Sequence, residues 1–163
     1  MKKMFLPLTI LSLMGCTTDD SCGCHILDVS SDFNILNSNN EDLLNPNTTN
    51  YFDNDEIRIE HLKNDGTYIE FHQSNLDYKY DFYIYPGGGD LYTFRLLNQV
   101  SRDFIINNKI TGVIKWNATE RDTIISEISE TSNTRITTKI WVNGELKYDM
   151  QNGLTPEIIT IIK

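Results

Sequence analysis

The scarcity of alanine is the feature that most limits what this chain can fold into. Of its 163 residues one is alanine, Ala118, whereas 20 are isoleucine and 16 are threonine. Alanine is the best helix former, while β-branched and aromatic residues suit the pleated, half-buried surface of a sheet. The composition therefore predicts an all-β protein.

Short runs of alternating apolar and polar residues support this prediction, because a strand with one buried face has a period of two. The runs are 31–37, 56–63, 67–73, 78–86, 90–97, 110–117, 122–129, 134–142, 145–151 and 157–162. The segment 96–105 carries apolar residues at helical spacing and is predicted to be a short helix or a turn. Residues 38–56 are rich in Asn, Asp and Glu and are predicted to form a long loop.

Turn signals join the strands into three hairpins, whose registers follow from the requirement that apolar side chains share one face. The first hairpin turns through residues 64–66, which places Glu60 opposite Glu70 on the outer face. These carboxylates and His72 are one possible cation site. We favour neutralisation of the pair by Arg58 on a hydrated surface, and so predict no metal.

The second hairpin turns through Gly87–Gly89, which predicts that Phe82 lies opposite Phe94 and Asp81 opposite Arg95. The third hairpin is predicted to turn through residues 142–144, with Ile136, Ile140, Leu146, Tyr148 and Met150 on one apolar face. Three hairpins with one apolar face each cover those faces by packing together. The predicted fold is an antiparallel β-sandwich, immunoglobulin-like or similar, with a small closed barrel as the alternative.

Aromatic residues on the outer faces are the candidate binding residues. Tyr83 and Tyr85 are expected to point outward beside Asp81 and Arg95, and Trp141 to lie on the polar face near Lys139 and Lys147. Amphipathic rings beside charged groups are typical of surfaces that contact proteins or sugars. The partner predicted here is a glycan or a protein, unless the loop at 38–56 covers these rings.

Catalytic motifs are missing from the sequence. The three histidines are His25, His61 and His72, and His61 falls on an apolar strand face, where we expect a core or rim histidine. The chain has neither a Gly-x-Ser-x-Gly elbow nor a His-Glu-x-x-His motif. We therefore predict a protein that is not an enzyme and that uses no cofactor.

The first sixteen residues have the pattern of a secretion signal. Lys2 and Lys3 precede a largely apolar run from Met4 to Met14 that is too short for a membrane span, which needs roughly 20 residues. The run ends in Leu-Met-Gly-Cys, which resembles the lipobox of bacterial lipoproteins. The resemblance implies a signal peptide at 1–15 and a lipid on Cys16. Two or more acyl chains then anchor the protein stably.

The segment after Cys16 is polar and is predicted to be a flexible tether over 16–30, which leaves 31–163 as a single domain. Without the signal peptide, 12 basic and 23 acidic residues give a formal charge of −11. Such a charge argues against a nucleic-acid partner. Cys22 and Cys24 are expected to be tether residues, with a strained disulfide as the second possibility and a metal site as the third.

Asp19 and Asp20 form an acidic pair close to the lipid, which resembles the surface-export signal of Bacteroidota lipoproteins. The stretches 42–46 and 139–146 likewise resemble small lipoproteins of that phylum. The resemblance implies an outer-membrane location with the domain on the cell surface; the alternative is the periplasmic face. Asp122-Thr123-Ile124 resembles the acceptor site for O-linked glycans in the same phylum, which makes Thr123 a candidate glycosylation site.

The function expected from the sequence is therefore that of a membrane-anchored lipoprotein that acts as a non-enzymatic binding module. A structural or adhesin-like subunit is the alternative, and so is a lipoprotein on the periplasmic face of the membrane.

The lipid anchor can be tested at Cys16. Since the thiol of this residue is the predicted acylation site, Cys16→Ala should leave a soluble or unprocessed precursor, detected by membrane fractionation and gel mobility. A processed Cys16→Ala protein that stays in the membrane fraction would show that the lipoprotein assignment is wrong.

Overall fold

The computed structural model describes residues 26–89 and 91–163, and 48% of these described residues are in strands. The described part contains no α-helix and one short 3₁₀ turn at Arg102–Phe104. Its twelve strands are β1 Ile26–Asp28, β2 Ser31–Leu36, β3 Arg58–Leu62, β4 Tyr68–Glu70, β5 Phe82–Pro86, β6 Tyr92–Leu96, β7 Ile105–Ile106, β8 Lys109–Lys115, β9 Arg121–Glu130, β10 Thr134–Val142, β11 Glu145–Asp149 and β12 Ile159–Ile162. The all-β prediction is confirmed.

The strands form two open sheets. The larger has eight strands in the order β1-β10-β9-β8-β3-β4, with β11 also paired to β10 and β7 to β8. The smaller has four strands in the order β12-β2-β6-β5. The sheets are not closed into a barrel, and the arrangement is that of the predicted β-sandwich.

Strand direction differs from the prediction at two places. β1 pairs with β10 in parallel, and β12 pairs with β2 in parallel, so both sheets are mixed. Neither pair is joined by a hairpin, and a strand that arrives from a distant segment is not forced to be antiparallel. The sheets of eight and four strands also differ from the seven or nine strands of an immunoglobulin domain.

All ten predicted strand regions contain a strand, and the structure adds β1 and β7. β1 changes the expected boundary of the tether, because Ile26–Asp28 is part of the larger sheet and Val29 is buried in a small core cluster. Residues 26–30 therefore belong to the domain. The sequence pattern did not predict β1, because a strand of three exposed residues has no alternation of buried and exposed positions.

The register of the first hairpin is confirmed, with Glu60 opposite Glu70. The second hairpin keeps the predicted faces but is shifted by two residues, so that Ile84 lies opposite Phe94. Gly87 belongs to this ladder, since its N–H donates to the Leu91 carbonyl at 2.7 Å. A Cβ at position 87 would overlap the Thr93 hydroxyl, which explains why glycine stands there.

The third hairpin turns through two residues and not three. Asn143 and Gly144 have φ of 51° and 85°, the pair of left-handed conformations that a tight two-residue turn needs. A bulge between Ile140 and Trp141 then restores the inward face, with Tyr148 opposite Ile140. The bulge leaves Leu146 exposed, and Met150 is exposed as well, so the predicted inward position of both is wrong.

The core lies between the sheets and is closed at one end by the predicted loop. Phe52 from this loop stacks on Trp116 with ring centroids 5.4 Å apart, and Leu43 and Leu44 are buried beside it. The loop thus covers one end of the core. Its residues Asn54 and Asp55 also border the ring of Tyr83. Trp116 is fully buried.

Candidate functional site

Three adjacent strands of the smaller sheet bring the predicted residues together. Tyr83 on β5 lies opposite Arg95 on β6, which lies opposite Asp32 on β2. Tyr85 follows on the same outer face, because alternate residues of a strand share a face. The predicted grouping of Tyr83, Tyr85 and Arg95 is therefore present, and Asp32 is a member that the sequence did not indicate.

Asp32 fixes the polar part of this site. The Arg95 Nε donates to Asp32 Oδ1 at 2.6 Å, and a second guanidinium nitrogen donates to Oδ2. The Tyr85 hydroxyl donates to the same Oδ2 at 2.9 Å, and Arg95 donates to the Tyr83 hydroxyl at 3.2 Å. A bidentate arginine–carboxylate pair has a fixed geometry, so these contacts hold both tyrosine rings in place.

The same contacts shift two pKa values. Hydrogen bonding to Asp32 raises the pKa of Arg95, which is charged throughout the physiological range. Burial raises the pKa of Tyr85, and its hydrogen bond to Asp32 and the charge of that carboxylate raise it further. The Tyr85 hydroxyl therefore stays protonated and remains a donor to Asp32.

Tyr78 extends the aromatic surface beyond the strands. Its ring stacks on Tyr83 with centroids 4.3 Å apart, and Tyr83 lies 5.6 Å from Tyr85. Tyr78 is 46% exposed, while Tyr83 and Tyr85 are half-buried. We call the three rings of Tyr78, Tyr83 and Tyr85 the tyrosine platform. Rings that are already ordered lose little entropy when a partner binds.

Asp81 does not belong to this surface. It is 1% exposed and has a φ of 66°, and it does not pair with Arg95. Its carboxylate accepts the Gln99 N–H at 3.0 Å and lies 2.8 Å from His61 Nε2. The left-handed conformation turns the side chain away from the outer face, so the prediction of Asp81 as an exposed binding residue is wrong.

His61 is a fully buried core histidine, as predicted. Its contact with Asp81 assigns a hydrogen to Nε2, and Nδ1 has no hydrogen-bond partner among the described residues. Phe71 and Phe104 contact the ring edge-on, each with a centroid distance of 6.0 Å. The pair of His61 and Asp81 thereby connects the two sheets.

Trp141 lies on the outer face of the larger sheet, away from the tyrosine platform. It is half-buried, with Leu146 opposite and the Lys109 Nζ 4.8 Å from the ring centroid. Its cationic neighbour is therefore Lys109, whereas Lys139 pairs with Glu127 at 3.9 Å. A single ring with one cation is a smaller contact surface than the three rings of the platform.

Two cations face the carboxylates on the outer face of the first hairpin, where Arg58 alone was expected. The Arg58 Nε lies 3.7 Å from Glu70, and Lys115 pairs with Glu60. His72 packs against Tyr80 with centroids 5.2 Å apart. Within residues 26–89 and 91–163, no group of three His, Cys, Asp or Glu side chains is placed to hold a metal ion.

Thr123 lies in β9, which is paired on both sides, and its N–H donates to Asn143 Oδ1 at 2.9 Å. Asp122, which precedes it, is buried and accepts hydrogen bonds from Trp116 Nε1 and Asn143 Nδ2. An enzyme acting on the folded domain would meet Thr123 without access to the Asp122 carboxylate. Thr123 therefore remains a candidate glycosylation site on the basis of the sequence motif alone.

The predicted lipid site Cys16 and the export pair Asp19 and Asp20 lie outside the described residues. In the part of the chain that is described, no helix has both the length and the apolar character of a membrane span. Comparison with protein families, with curated proteins and with solved structures finds no match to this chain. Function therefore has to be inferred from the residues themselves.

The role of Asp32 can be measured through Tyr85. Asp32→Asn removes the charge that raises the tyrosine pKa, so the pKa of Tyr85 should fall toward the ordinary value of about 10 while remaining above it because burial persists. Ring ¹³C chemical shifts followed against pH report this value for each tyrosine. Asp103→Asn, at an exposed site, should leave it unchanged. An unaltered Tyr85 pKa in Asp32→Asn would contradict the described network.

Proposed function

We propose that this protein is an outer-membrane lipoprotein whose domain faces the cell exterior and binds a partner without catalysing a reaction. The observation that carries the binding part is the tyrosine platform. The ion pair of Arg95 and Asp32 holds two of its rings, Tyr83 and Tyr85, and the third ring, Tyr78, stacks on Tyr83. Tyrosine and arginine dominate the energetics of many contact surfaces. An ordered group of them on an outer sheet face is what a binding module needs.

The anchoring part of the proposal is supported by the sequence before β1. Cys16 closes the lipobox, and nine residues separate it from Ile26, the first residue of the domain's strands. A fully extended connection of this length reaches roughly 35 Å. The domain would therefore stay within a short distance of the membrane surface while its acidic charge keeps it off anionic headgroups.

The outward orientation is supported by Asp19 and Asp20, which lie three and four residues after the lipidated cysteine. An export machinery that holds the acylated N-terminus would meet this pair first. Protease added to intact cells should then digest the domain, and the double substitution Asp19→Ala and Asp20→Ala should protect it. Protection of the unaltered protein would contradict the surface location and leave the lipid anchor in place.

Binding through the platform can be tested by photo-crosslinking in intact cells. A photoreactive phenylalanine analogue in place of Tyr83 or Tyr85 should form adducts with the partner after illumination. The matched control replaces Tyr68, which is 47% exposed on β4 and lies away from the platform. Adducts at positions 83 and 85 but not at 68 are expected. Equal yields at all three positions, or no adduct at 83 and 85, would contradict the proposed function.

A further inference from the structure

The tyrosine platform continues into a shallow groove along β5, with a cavity volume of about 310 Å³. Tyr78 and Tyr83 line one side of it. Other apolar and aromatic residues contribute to the lining, together with four polar residues from two neighbouring segments, namely Asn54, Asp55, Asp77 and Lys79. All four of these side chains are exposed. We call this cavity the Tyr78 groove.

The free edge of β5 contributes backbone groups to the groove. β5 pairs with β6 on one side only, and the ladder bonds of Asp81 and Gly87 show that odd-numbered residues direct their backbone groups toward β6. Ile84, which also borders the groove, therefore directs its N–H and C=O away from β6. One donor and one acceptor thus lie on the free edge of β5, at a residue that lines the groove.

An added peptide strand is a poor fit to this edge. Phe82 is buried, and Pro86 has no N–H to donate, so only Ile84 offers a full pair of backbone groups. Strand addition draws its affinity from several successive main-chain hydrogen bonds. The groove suits a compact ligand better than an extended polypeptide.

The lining matches the chemistry of a neutral sugar. Aromatic ring faces pack against the C–H face of a pyranose, and carboxylate, amide and backbone groups bind its hydroxyls. Among the described residues, Asp55 and Asp77 have no ion-pair partner, so their carboxylates are available to accept from hydroxyl groups. Hydrogen bonds to a charged acceptor are about twice as strong as neutral ones. The same carboxylates repel anionic ligands.

We infer that the Tyr78 groove binds one neutral sugar residue of a glycan, with the adjoining residues of the glycan lying over Tyr83 and Tyr85. This inference rests on the proposed function, because it gives the class of ligand for the same surface. Lys79 is the one cationic side chain in the lining, against two carboxylates. The balance of charge therefore favours a neutral over an acidic sugar.

Saturation-transfer-difference NMR on the full, lipidated chain tests this directly. The protein is held in a sugar-free detergent and exposed to neutral hexasaccharides of glucose, mannose or galactose, and to a hexasaccharide of galacturonic acid. At least one neutral hexasaccharide should give saturation transfer at millimolar concentration, and the acidic one should not. The inference would be overturned if no neutral hexasaccharide gave a saturation-transfer signal, or if the acidic hexasaccharide bound equally well.

Single substitutions locate the binding. Tyr78→Ala should lower the affinity for the neutral hexasaccharide at least tenfold, a loss of about 1.4 kcal/mol in binding free energy. Asp77→Asn should lower this affinity severalfold. Tyr68→Ala is the matched control, because Tyr68 and Tyr78 are 47% and 46% exposed, and it should have no effect. Circular dichroism establishes that each variant is folded. If Tyr78→Ala left the affinity for the hexasaccharide unchanged, the sugar would bind elsewhere and the inference would be overturned.

The two proposals fail in different ways. If photo-crosslinking at positions 83 and 85 yields a protein adduct while no neutral hexasaccharide gives a saturation-transfer signal, the sugar inference is wrong and the proposed binding function is retained. If the platform gives no adduct and no sugar binds, both proposals are wrong. Adducts at positions 83 and 85, together with binding of a neutral hexasaccharide that Tyr78→Ala weakens, support both.

Discussion

The packing of Trp116 between the two sheets is the contact on which the rest of the structure depends. Its ring meets Phe94 of the smaller sheet edge-on at 5.1 Å and stacks on Phe52 of the long loop. Its Nε1 donates to the buried Asp122, whose other carboxylate oxygen accepts from Asn143 at 2.8 Å. One side chain thus joins both sheets, the covering loop and the β10–β11 turn.

The position of β6 transmits this constraint to the candidate site. Phe94 points into the core against Trp116, and the next residue, Arg95, points outward to Asp32. Because neighbouring residues of a strand face opposite sides, fixing Phe94 also fixes the guanidinium that positions the rings of Tyr83 and Tyr85. The platform is ordered by the core, and a partner does not have to order it.

Local patterning was sufficient to predict the strands, the two-layer fold and the outward faces of Tyr83 and Tyr85, since each depends on a period of two within a few residues. Asp81 could not be predicted, because its φ of 66° interrupts the alternation directly before β5. Asp32 could not be predicted either. It meets Arg95 across 63 positions of sequence. Because β2 and β6 are not joined by a hairpin, pattern alone does not set their register.

The assignment of faces on β5 is the central claim, because both the core and the tyrosine platform depend on it. Chemical unfolding of Phe82→Ala and Tyr83→Ala tests it with two neighbouring residues on opposite faces. Phe82 stacks on Phe94 at 4.9 Å, so its truncation should lower the free energy of unfolding by about 3–5 kcal/mol. Tyr83→Ala should cost about 1 kcal/mol, the central value for single mutations. Equal losses from the two variants would put Tyr83 in the core and contradict the account.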